Sequence, residues 1–491
     1  MDHYGVWSLL PPLLAIILAI KTRQVFISLL FGIWIGWVIL NHWNFFHGTL
    51  ATIQALVDVF KEPGNTRTIM FSSLVGALIA FIQRSGGVDG FVGRVNRFLA
   101  RRKGNNRRLV QIIAWLTGAS IFVESSINAL TVGTTFRPIF DKLKIPREKL
   151  AYIADSISAP TCILIPLNAW GAYIMGLLLA QGLEDPLHIM IKAYPVNFYP
   201  ILAMVLVVAV IVLQKDIGPM KKAEKRAREE GKVLADGATP MISTDVIALE
   251  TKEGVRPKAR NMLIPIATMV LMMPIGLVYS GWQNVANIDQ PPLWKAIFKA
   301  LGQGSGSSAV LWAVLTALTV SAILYRVQKI FRLRELMDLT FKGIGGLIPL
   351  ALLMMMAFAI GRVSRELGTG LYAAELTRQW LSPHFVPVIL FVISSFIAFS
   401  TGTSWGTFAI MIAVGIPMAQ AMDVSIPLTV GAVLGGGVFG DHCSPISDTT
   451  IISSMASASD HIDHVKTQLP YALFIGGISA VLYLILGFIM H

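Results

Sequence analysis

The chain has 491 residues, of which 54% are hydrophobic and only 14% are charged, and its formal net charge is +12. Soluble domains carry roughly 25% charged residues, so this composition excludes an ordinary soluble protein. The excess of Lys and Arg does not indicate nucleic-acid binding, because basic residues gather in the cytoplasmic loops of membrane proteins. The two cysteines cannot form a disulfide framework.

Apolar runs that reach or approach the ~20 residues needed to cross a bilayer occur along the whole chain. Clear examples span 25–40, 201–213, 262–282 and 471–490. The pattern predicts an all-α, polytopic protein of the inner (plasma) membrane with about 10 crossings. No cleavable signal peptide is expected, because the first apolar run ends in basic residues.

Basic residues cluster in a few connections, which the positive-inside rule assigns to the cytoplasm. These connections are 21–23, 84–108, 137–149, 215–260 and 326–342. The segment 214–260 carries charges of both signs and no apolar period. We therefore expect it to be a solvated cytoplasmic linker between two halves.

The two halves contain similar segments in the same order. The matched pairs are 75–95 with 353–374, 112–130 with 389–408, and 158–166 with 443–451. Their flanking charges differ, since 84–108 carries eight Lys or Arg and its counterpart 362–384 carries three. Matched segments of opposite basic bias belong on opposite faces of a membrane, which indicates two inverted-topology repeats.

Each repeat is predicted to contain a re-entrant hairpin. If both 84–108 and 137–149 are cytoplasmic, then 109–136 must enter the membrane and return, with its tip near 123–128. By the same logic 385–416 enters from outside, with its tip near 400–407. Both tips are rich in Ser, Thr, Gly or Asn, and unwound backbone at membrane depth is tolerated only against protein or water.

Each repeat is also predicted to contain a discontinuous helix. The polar stretch GDHCSPISDTT (440–450) lies within 427–457, which must cross once. Glycines at 435–437 weaken this helix, and Pro445 breaks it. Its counterpart, 150–180, holds Pro160 and Pro166. Breaks of this kind expose helix dipoles and free carbonyls that bind ions and substrates.

These features divide the chain into scaffold and transport segments. The division is 1–68 for N-terminal scaffold helices, 69–188 for the first transport core, 189–213 for a scaffold helix, 214–260 for the linker, 261–342 for scaffold helices, 343–457 for the second transport core, and 470–491 for the C-terminal scaffold helix.

Four carboxylates fall within the predicted membrane segments: Glu124, Asp155, Asp441 and Asp448. An ionisable side chain in a membrane helix costs at least ~2.5–3.5 kcal/mol, so each is a functional candidate. A carboxylate withdrawn from water can hold a proton near neutral pH and release it to an arriving cation. That exchange is the chemistry of a cation/proton antiporter.

Neutral oxygen donors accompany these carboxylates. They are Ser125, Ser126, Asn128, Thr401, Thr403, Ser404, Ser447 and Thr449. Such oxygens suit Na+, although single Ser and Thr residues in membrane helices often bond only to their own helix. His442 either titrates or hydrogen-bonds a neighbour, and Asn168 and Trp170 either line a cavity or pack. The DHIDH segment (460–464) is expected to be a solvated loop.

Two of these stretches resemble the NhaC-type Na+/H+ antiporter family, within the wider ion-transporter superfamily. They are GDHCSPISDTTIISSMAS (440–457) and SAPTCILIPLNAWGAY (158–173). The resemblance implies two inverted repeats that form a mobile transport domain beside a scaffold, an elevator motion, and a homodimer in the lipid bilayer. It also implies sodium sites between each hairpin tip and broken helix.

Carried onto this chain, one site would use Ser125, Ser126, Asn128 and the backbone of 158–161, and the other Thr401, Thr403, Ser404 and 443–447. The ion- or substrate-binding set then also includes Ser158, Thr161, Asn168, His442, Ser444 and Thr449. The Na+ ligands expected among them are Ser126, Asn128, Ser404, Asp441, Ser447 and Asp448.

The resemblance leaves the substrate open. Simple Na+/H+ antiport ranks first, and Na+-coupled transport of a small organic solute, such as malate, lactate or an amino acid, ranks second. An intramembrane hydrolase built on Ser444, His442 and Asp441 is a poor third, because adjacent residues rarely form a triad. We expect a transporter rather than an enzyme, with no cofactor beyond the transported ions and no nucleic-acid partner.

Overall fold

The computed structural model describes most of the chain as helices joined by short turns. It describes residues 4–490 apart from 23, 101–106, 123, 167, 184, 241–248, 250, 286–295, 298–299, 301–303, 370–371, 373–374 and 376–381. The described residues contain no strand, which confirms the expectation of an all-α protein. Residue 123, the first of the predicted tip 123–128, lies outside them.

The α-helices are numbered here in chain order. Those of the first half are α1 (Leu10–Thr22), α2 (Val25–Leu40), α3 (Phe45–Asp58), α4 (Pro63–Arg84), α5 (Gly87–Ala100), α6 (Arg107–Ala119), α7 (Ser125–Lys142), α8 (Arg147–Leu164), α9 (Ala169–Ala180), α10 (Pro186–Ala193), α11 (Phe198–Leu213) and α12 (Gly218–Glu229). Those of the second half are α13 (Arg260–Val285), α14 (Gly306–Val327), α15 (Leu333–Glu366), α16 (Val386–Thr401), α17 (Ser404–Ala421), α18 (Ile426–Cys443), α19 (Asp448–Ser457) and α20 (His461–Ile489). Short 3-10 helices span Gly5–Leu9, Val59–Lys61, Tyr194–Val196 and Pro383–Phe385.

Many of these helices are suited to a bilayer. Within the described ranges, eight helical segments are long and apolar enough to cross a membrane. They are Pro63–Arg84, Phe198–Glu229, Arg260–Trp282, Gly306–Val327, Leu333–Glu366, Pro383–Thr401, Ser404–Ala421 and His461–Ile489. The chain is therefore a polytopic membrane protein. The apolar run 25–40 forms the shorter helix α2.

Several predicted segment boundaries fall inside helices, among them that at 470, which lies within α20. The boundary at 68 lies within α4, that at 188 within α10, and that at 342 within α15, which is one helix of 34 residues. The reason is that apolar length, not the change of charge, decides where a membrane helix ends.

Helices α4 and α15 pack along each other at a glycine crossing. A Cβ atom added to Gly343 would lie 2.3 Å from the carbonyl oxygen of Gly76, and one added to Gly76 would lie 2.1 Å from that of Gly343. The two backbones can approach this closely only because neither residue carries a side chain.

Helices α6 and α7 form a pair. The first residue of α6 and the last residues of α7 lie at the same end of the molecule. Arg107, which begins α6, pairs with Glu224 of α12 at 2.5 Å. Arg147, just beyond α7, donates its backbone N–H to the Val233 carbonyl in the segment that follows α12. In the second half, α16 and α17 form a pair joined by the two residues Gly402 and Thr403.

Each helix pair is followed along the chain by two helices that are separated by a short break. In the first half α8 ends at Leu164 and α9 begins at Ala169. Pro160 lies inside α8, so the expectation that it interrupts the helix is wrong, and Pro166 is the proline in the break. In the second half the break covers residues 444–447.

The glycine run of α18 also has a role different from the one predicted. The helix continues through residues 435–437 to Cys443, so these glycines do not unwind it. They make room for α16: a Cβ on Gly436 would lie 2.4 Å from the Phe391 carbonyl oxygen, and one on Gly440 would lie 2.0 Å from that of Ser395.

The first part of the predicted linker is a helix with one buried face. Helix α12 buries Met220, Ala223 and Ala227, which recur at the spacing of one helix face. Beside it the buried ammonium of Lys149 lies 2.8 Å from Asp216 and 3.1 Å from Glu224. A short apolar stripe within a highly charged segment escaped the sequence reading, and its burial fixes α12 against α8.

Candidate ion-binding site

The break between α18 and α19 is shaped by local capping. Helix α18 ends at Cys443, and Pro445 supplies no N–H to continue it. Ser447 then caps α19, since its Oγ accepts the N–H of Thr450 at 3.4 Å. Ser444 Oγ donates to the Phe399 carbonyl at 2.7 Å and so ties the break to the end of α16.

The turn between α16 and α17 contacts this break. Gly402 has φ +68°, a left-handed conformation that favours glycine. A Cβ at this position would lie 2.5 Å from the Ile446 carbonyl oxygen. The turn and the break therefore pack backbone against backbone.

Asp441 lies at the centre of this contact and is buried. Its Oδ2 faces two hydroxyl donors, Ser404 and Thr449, each at 3.4 Å. Ser447 Oγ lies 3.0 Å from Thr449 Oγ1 and extends the hydroxyl group. Asp441 Oδ1 is buried and has no hydrogen-bond partner among the described residues. We name Asp441, Ser404, Ser447 and Thr449 the Asp441 cluster.

His442 and Asp448, both predicted site residues, lie beside the cluster, but neither side chain hydrogen-bonds to Asp441. His442 Nδ1 pairs with the Tyr199 hydroxyl at 3.2 Å, and its buried Nε2 has no partner among the described residues. Asp448 is exposed in the first turn of α19, where its Oδ1 accepts the N–H of Thr449. Carboxylates at a helix N-terminus are stabilised by the helix dipole.

The break in the first half is held by Asn168. Its Nδ2 donates to the carbonyls of Phe122 and Cys162 at 2.7 and 2.8 Å, and its Oδ1 accepts the N–H of Gly171. These bonds use both amide hydrogens and one lone pair of the buried side chain, so Asn168 fastens the break between α8 and α9 to the turn between α6 and α7.

Asn128 closes that same turn. Its Nδ2 donates to the Gly118 and Ile121 carbonyls at 2.8 and 2.7 Å. Its Oδ1 is buried without a partner among the described residues. Glu124 caps α7, since its Oε2 accepts the N–H of Ile127 at 2.9 Å. The amide oxygen of Asn128 is thus one of the buried acceptors of the first half that have no hydrogen-bond partner among the described residues.

The remaining predicted residues are bonded locally or line a cavity. Ser158 donates to the Asp155 carbonyl, Thr161 faces the Met204 sulfur, and Thr401 donates to the Ile397 carbonyl. Ser125 is buried and donates to Glu124, Thr403 precedes α17 without capping it, and Ser126 lines a cavity.

The two halves meet at aromatic residues. Trp170 of α9 is buried, with its ring 4.7 Å from that of Trp405 in α17. The Tyr173 hydroxyl donates to the Trp405 carbonyl at 2.9 Å. Trp170 therefore packs rather than lining an open cavity, and the start of α9 rests on the turn of the second half.

Asp155 forms a second buried centre, which we name the Asp155 cluster: Asp155, Thr450, Ser453, His464 and Gln468. Asp155 Oδ2 accepts from Thr450 Oγ1 at 3.0 Å and from Gln468 Nε2 at 2.6 Å, and Oδ1 accepts from Ser453 Oγ at 3.4 Å. Gln468 Nε2 also donates to the His442 carbonyl at 2.9 Å. The cluster thus joins α8, α19 and α20.

Several members of this cluster escaped the sequence reading. The expectation that 460–464 is a solvated loop is wrong, because α20 begins at His461 and His464 is fully buried. The spacing of His461, His464 and Gln468 is that of one helical face. That spacing, continued into the apolar run of α20, is the signal that could have found them.

The described part of the chain has no group of three or more His, Cys, Asp or Glu side chains that could hold a metal ion. The donors gathered at Asp441 are instead one carboxylate and three hydroxyls. Oxygen donors of this kind suit hard cations rather than transition metals.

Comparison with known protein sequences gives one family. The sequence model of the Na+/H+ antiporter family matches residues 161–488. The chain is 32% identical to an uncharacterized protein of Haemophilus influenzae, over 99% of this chain and 91% of that protein. It is 27% identical over 233 residues to the arginine/ornithine antiporter ArcD of Halobacterium salinarum, which is 47% of this chain and 42% of ArcD. It is 33% identical over 110 residues to the malate-2H(+)/Na(+)-lactate antiporter of Bacillus subtilis, which is 22% of this chain and 24% of that protein.

Among solved structures, the fold is similar to that of the YdaH transporter of Alcanivorax borkumensis. The TM-score is 0.59 at 15% sequence identity, and the match covers 90% of this chain and 89% of that one. At this identity the likeness concerns the fold alone.

Proposed function

Because the chain belongs to the Na+/H+ antiporter family, we propose that it exchanges Na+ for H+ across the plasma membrane. The family consists of membrane transporters and not of enzymes. Contacts at the site agree with this: Ser444 donates to the Phe399 carbonyl and His442 pairs with Tyr199, so neither is arranged as a member of a hydrolytic triad.

One observation carries the proposal, namely the unsatisfied oxygen of Asp441. A buried carboxylate oxygen without a partner is costly, on the order of 1–3 kcal/mol. The hydroxyls at its other oxygen stand at 3.4 Å, a long distance for a charge-assisted hydrogen bond. A Na+ ion at this carboxylate would supply the missing interaction. Ser404, Ser447 and Thr449 are the hydroxyl ligands, and carbonyls of the break complete the shell.

The first half provides a weaker second candidate. Asn128 Oδ1 is a buried, unpartnered acceptor beside the break of α8 and α9. Ser125, Ser126 and the carbonyls of 158–161 are its proposed co-ligands. This position carries no buried carboxylate of its own, because Glu124 caps α7, so its affinity for Na+ is lower than that of the Asp441 cluster.

The transport cycle is proposed to follow from two inverted repeats. Helix pairs α6–α7 and α16–α17 act as re-entrant hairpins, and α8–α9 and α18–α19 act as the discontinuous helices. The end of the molecule that holds Arg107, Arg147 and α12 faces the cytoplasm. These eight helices move together as an elevator against a scaffold, and the scaffold forms a homodimer.

A second candidate function is Na+-coupled transport of a small organic solute. The names of the two antiporter relatives include amino acids in one case and organic acids in the other. A cavity of about 430 Å³ lies between α4, α15 and the turn of α6–α7. Glu124, Ser126 and Lys342 line it together with apolar residues. Charges of both signs in a largely apolar cavity would suit an amino acid.

Purified protein in liposomes with an entrapped pH dye separates the two functions. A Na+ pulse alone moves protons if the protein is a Na+/H+ antiporter. Proton movement that begins only when malate, lactate or an amino acid is added would replace the first function with the second. Empty liposomes and the Asp441→Asn variant provide the background.

A further inference from the structure

Helices α11 and α20 lie side by side and run in opposite directions. At one end the Phe198 N–H donates to the Tyr483 hydroxyl at 3.3 Å, and the two rings lie 4.9 Å apart. At the other end, just beyond α11, the Ile217 N–H donates to the Tyr471 hydroxyl at 3.1 Å. The two helices therefore present neighbouring outer faces.

These outer faces are apolar. Their exposed side chains include Val205, Val212, Leu213 and Ile217 on α11 and just beyond it, and Leu473, Phe474, Ile478 and Val481 on α20. Both helices belong to segments that are long and apolar enough to cross a membrane. In a bilayer such faces are covered by lipid acyl chains.

Four exposed lysines lie where the apolar faces stop, at the end of the molecule that holds Arg107 and Arg147. We name them the lysine group: Lys215, Lys221, Lys222 and Lys466. None of the four makes an ion pair among the described residues. The group therefore carries four positive charges without a carboxylate in direct contact.

The start of α12 brings the members of this group onto α20. A Cβ atom added to Gly218 would lie 3.3 Å from Pro470 Cγ. Lys466 precedes Pro470 by four residues, so it lies on the same face of α20, one helical turn away. Lys221 and Lys222 follow Gly218 by three and four residues on α12 and stand in the same relation to it. The contact of the two helices thus gathers lysines from both.

The face of α20 that carries Lys466 and Pro470 continues into the apolar run of the helix. Leu473 and Phe474, three and four residues after Pro470, are 53% and 57% exposed. Cations therefore lie on one side of Pro470 and exposed apolar side chains on the other. A phospholipid has the same order, with its phosphate at the membrane surface and its chains towards the middle of the bilayer.

We propose that the lysine group binds the phosphate of an anionic phospholipid whose acyl chains lie on the outer faces of α11 and α20. Basic residues beside the cytoplasmic ends of membrane helices are typical sites for anionic headgroups. A zwitterionic phospholipid offers the same chains without a net negative charge, so the lysine group selects against it. The site is separate from the Asp441 cluster, and its occupation does not depend on which ion or solute is transported.

The test is a lipid titration of the full-length protein in detergent, followed by native mass spectrometry. Dioleoyl phosphatidylglycerol should bind about tenfold more tightly than dioleoyl phosphatidylcholine, which has the same chains. Replacing Lys221→Gln and Lys222→Gln together should weaken the binding of phosphatidylglycerol about tenfold and leave that of phosphatidylcholine unchanged. Equal affinity of the native protein for the two lipids would overturn the inference.

The double substitution Lys142→Gln and Lys144→Gln is the matched control. These two lysines are also exposed, and they lie at the same end of the molecule, after α7 rather than beside α11 and α20. The affinity for phosphatidylglycerol should stay within about twofold of the native value. An equal loss in both double variants would show an effect of net charge and not a site. Thermal unfolding in phosphatidylcholine micelles should give one curve for all three proteins.

Two further measurements test the acyl chains. Glycerol 3-phosphate carries the phosphate without chains and should not displace phosphatidylglycerol at about a hundredfold excess. Displacement would show a site for a free phosphate instead of a lipid. Leu473→Ser should weaken the binding of both lipids about threefold, because it removes apolar surface that the chains cover. Native affinity for both lipids in this variant would contradict the placement of the chains on α20.

Discussion

Asp155 and Asp441 are both buried carboxylates, and they lie in α8 and α18, the helices that precede the two breaks. The two carboxylates differ in the number and length of the hydrogen bonds that they accept. Asp155 accepts three side-chain hydrogen bonds, one of them at 2.6 Å, and both of its oxygens are used. Asp441 has two hydroxyls at 3.4 Å on one oxygen and no partner on the other.

This difference indicates what each carboxylate can bind. A cation needs several oxygen lone pairs directed at one point, which Asp441 and its hydroxyl neighbours leave available. The oxygens of Asp155 already accept hydrogen bonds from Thr450, Ser453 and Gln468, so fewer lone pairs remain there for a cation. Burial alone therefore does not identify a sodium ligand.

The largest expected effect tests the sodium-binding role proposed for Asp441. Asp441→Asn removes the charge that holds Na+ and should lower Na+-driven proton flux at least ~100-fold, measured with the entrapped dye. Its thermal unfolding in detergent should stay near the native curve, because only two long hydrogen bonds are lost. Asp448→Asn should have a smaller effect, since Asp448 is exposed. Native flux in Asp441→Asn would contradict the site.

The next effect concerns stability, and here we expect the larger loss on substitution of Asp155 rather than of Asp441. Asp155→Ala leaves three donors, on Thr450, Ser453 and Gln468, without their acceptor, and should lower the free energy of unfolding by about 3 kcal/mol. Asp441→Ala should lower it by only ~1 kcal/mol. Thermal unfolding of both variants in one detergent measures the difference, and equal losses would show that the two environments are not distinct.

Gly402→Ala disturbs the turn that covers the Asp441 cluster. A side chain at φ +68° costs about 1–2 kcal/mol, and its Cβ would meet the Ile446 carbonyl oxygen at 2.5 Å. We expect a lower unfolding temperature and a roughly tenfold weaker Na+ affinity. Gly477→Ala in α20, where a Cβ meets nothing within 4 Å, is the control and should change neither.

The smallest effect sharpens the ligand assignment. Ser447→Ala removes one of several neutral oxygens and should weaken Na+ affinity about threefold, which corresponds to less than ~1 kcal/mol. Ser158→Ala, where the hydroxyl donates to its own helix, should leave the affinity unchanged. Calorimetric Na+ titrations compare the two, and equal affinities would remove Ser447 from the site.

The sequence was sufficient to predict membrane helices and the position of the polar break, because apolar length and the proline at 445 act locally. The same local rules misjudged Pro160 and the glycines at 435–437. The structural effect of those residues depends on what packs against them. Phe391 and Ser395, which approach the glycines, lie some 45 positions away in the sequence.

The candidate site was predictable in its carboxylates but not in its partners. Asp155 was found because a charge in an apolar segment is conspicuous. Its partners Gln468 and His464 were missed because they lie some 310 residues along the chain, in a segment whose charged neighbours Asp460 and Asp463 resemble a loop. Hydrogen bonds between distant segments leave no periodicity in the sequence.

The buried ammonium of Lys149 has a consequence for how this protein tolerates salt. Pairs between exposed side chains, such as Lys232 with Asp236, weaken as ionic strength rises, because at 0.15 M salt charges are screened over about 8 Å. The Lys149 pairs with Asp216 and Glu224 are withdrawn from the solution and are screened much less. Helix α12 should therefore stay docked on α8 in concentrated NaCl as well as in dilute buffer. A transporter of Na+ works where the concentration of this ion changes. The buried contact keeps α12 in place on α8 over that range of Na+ concentration.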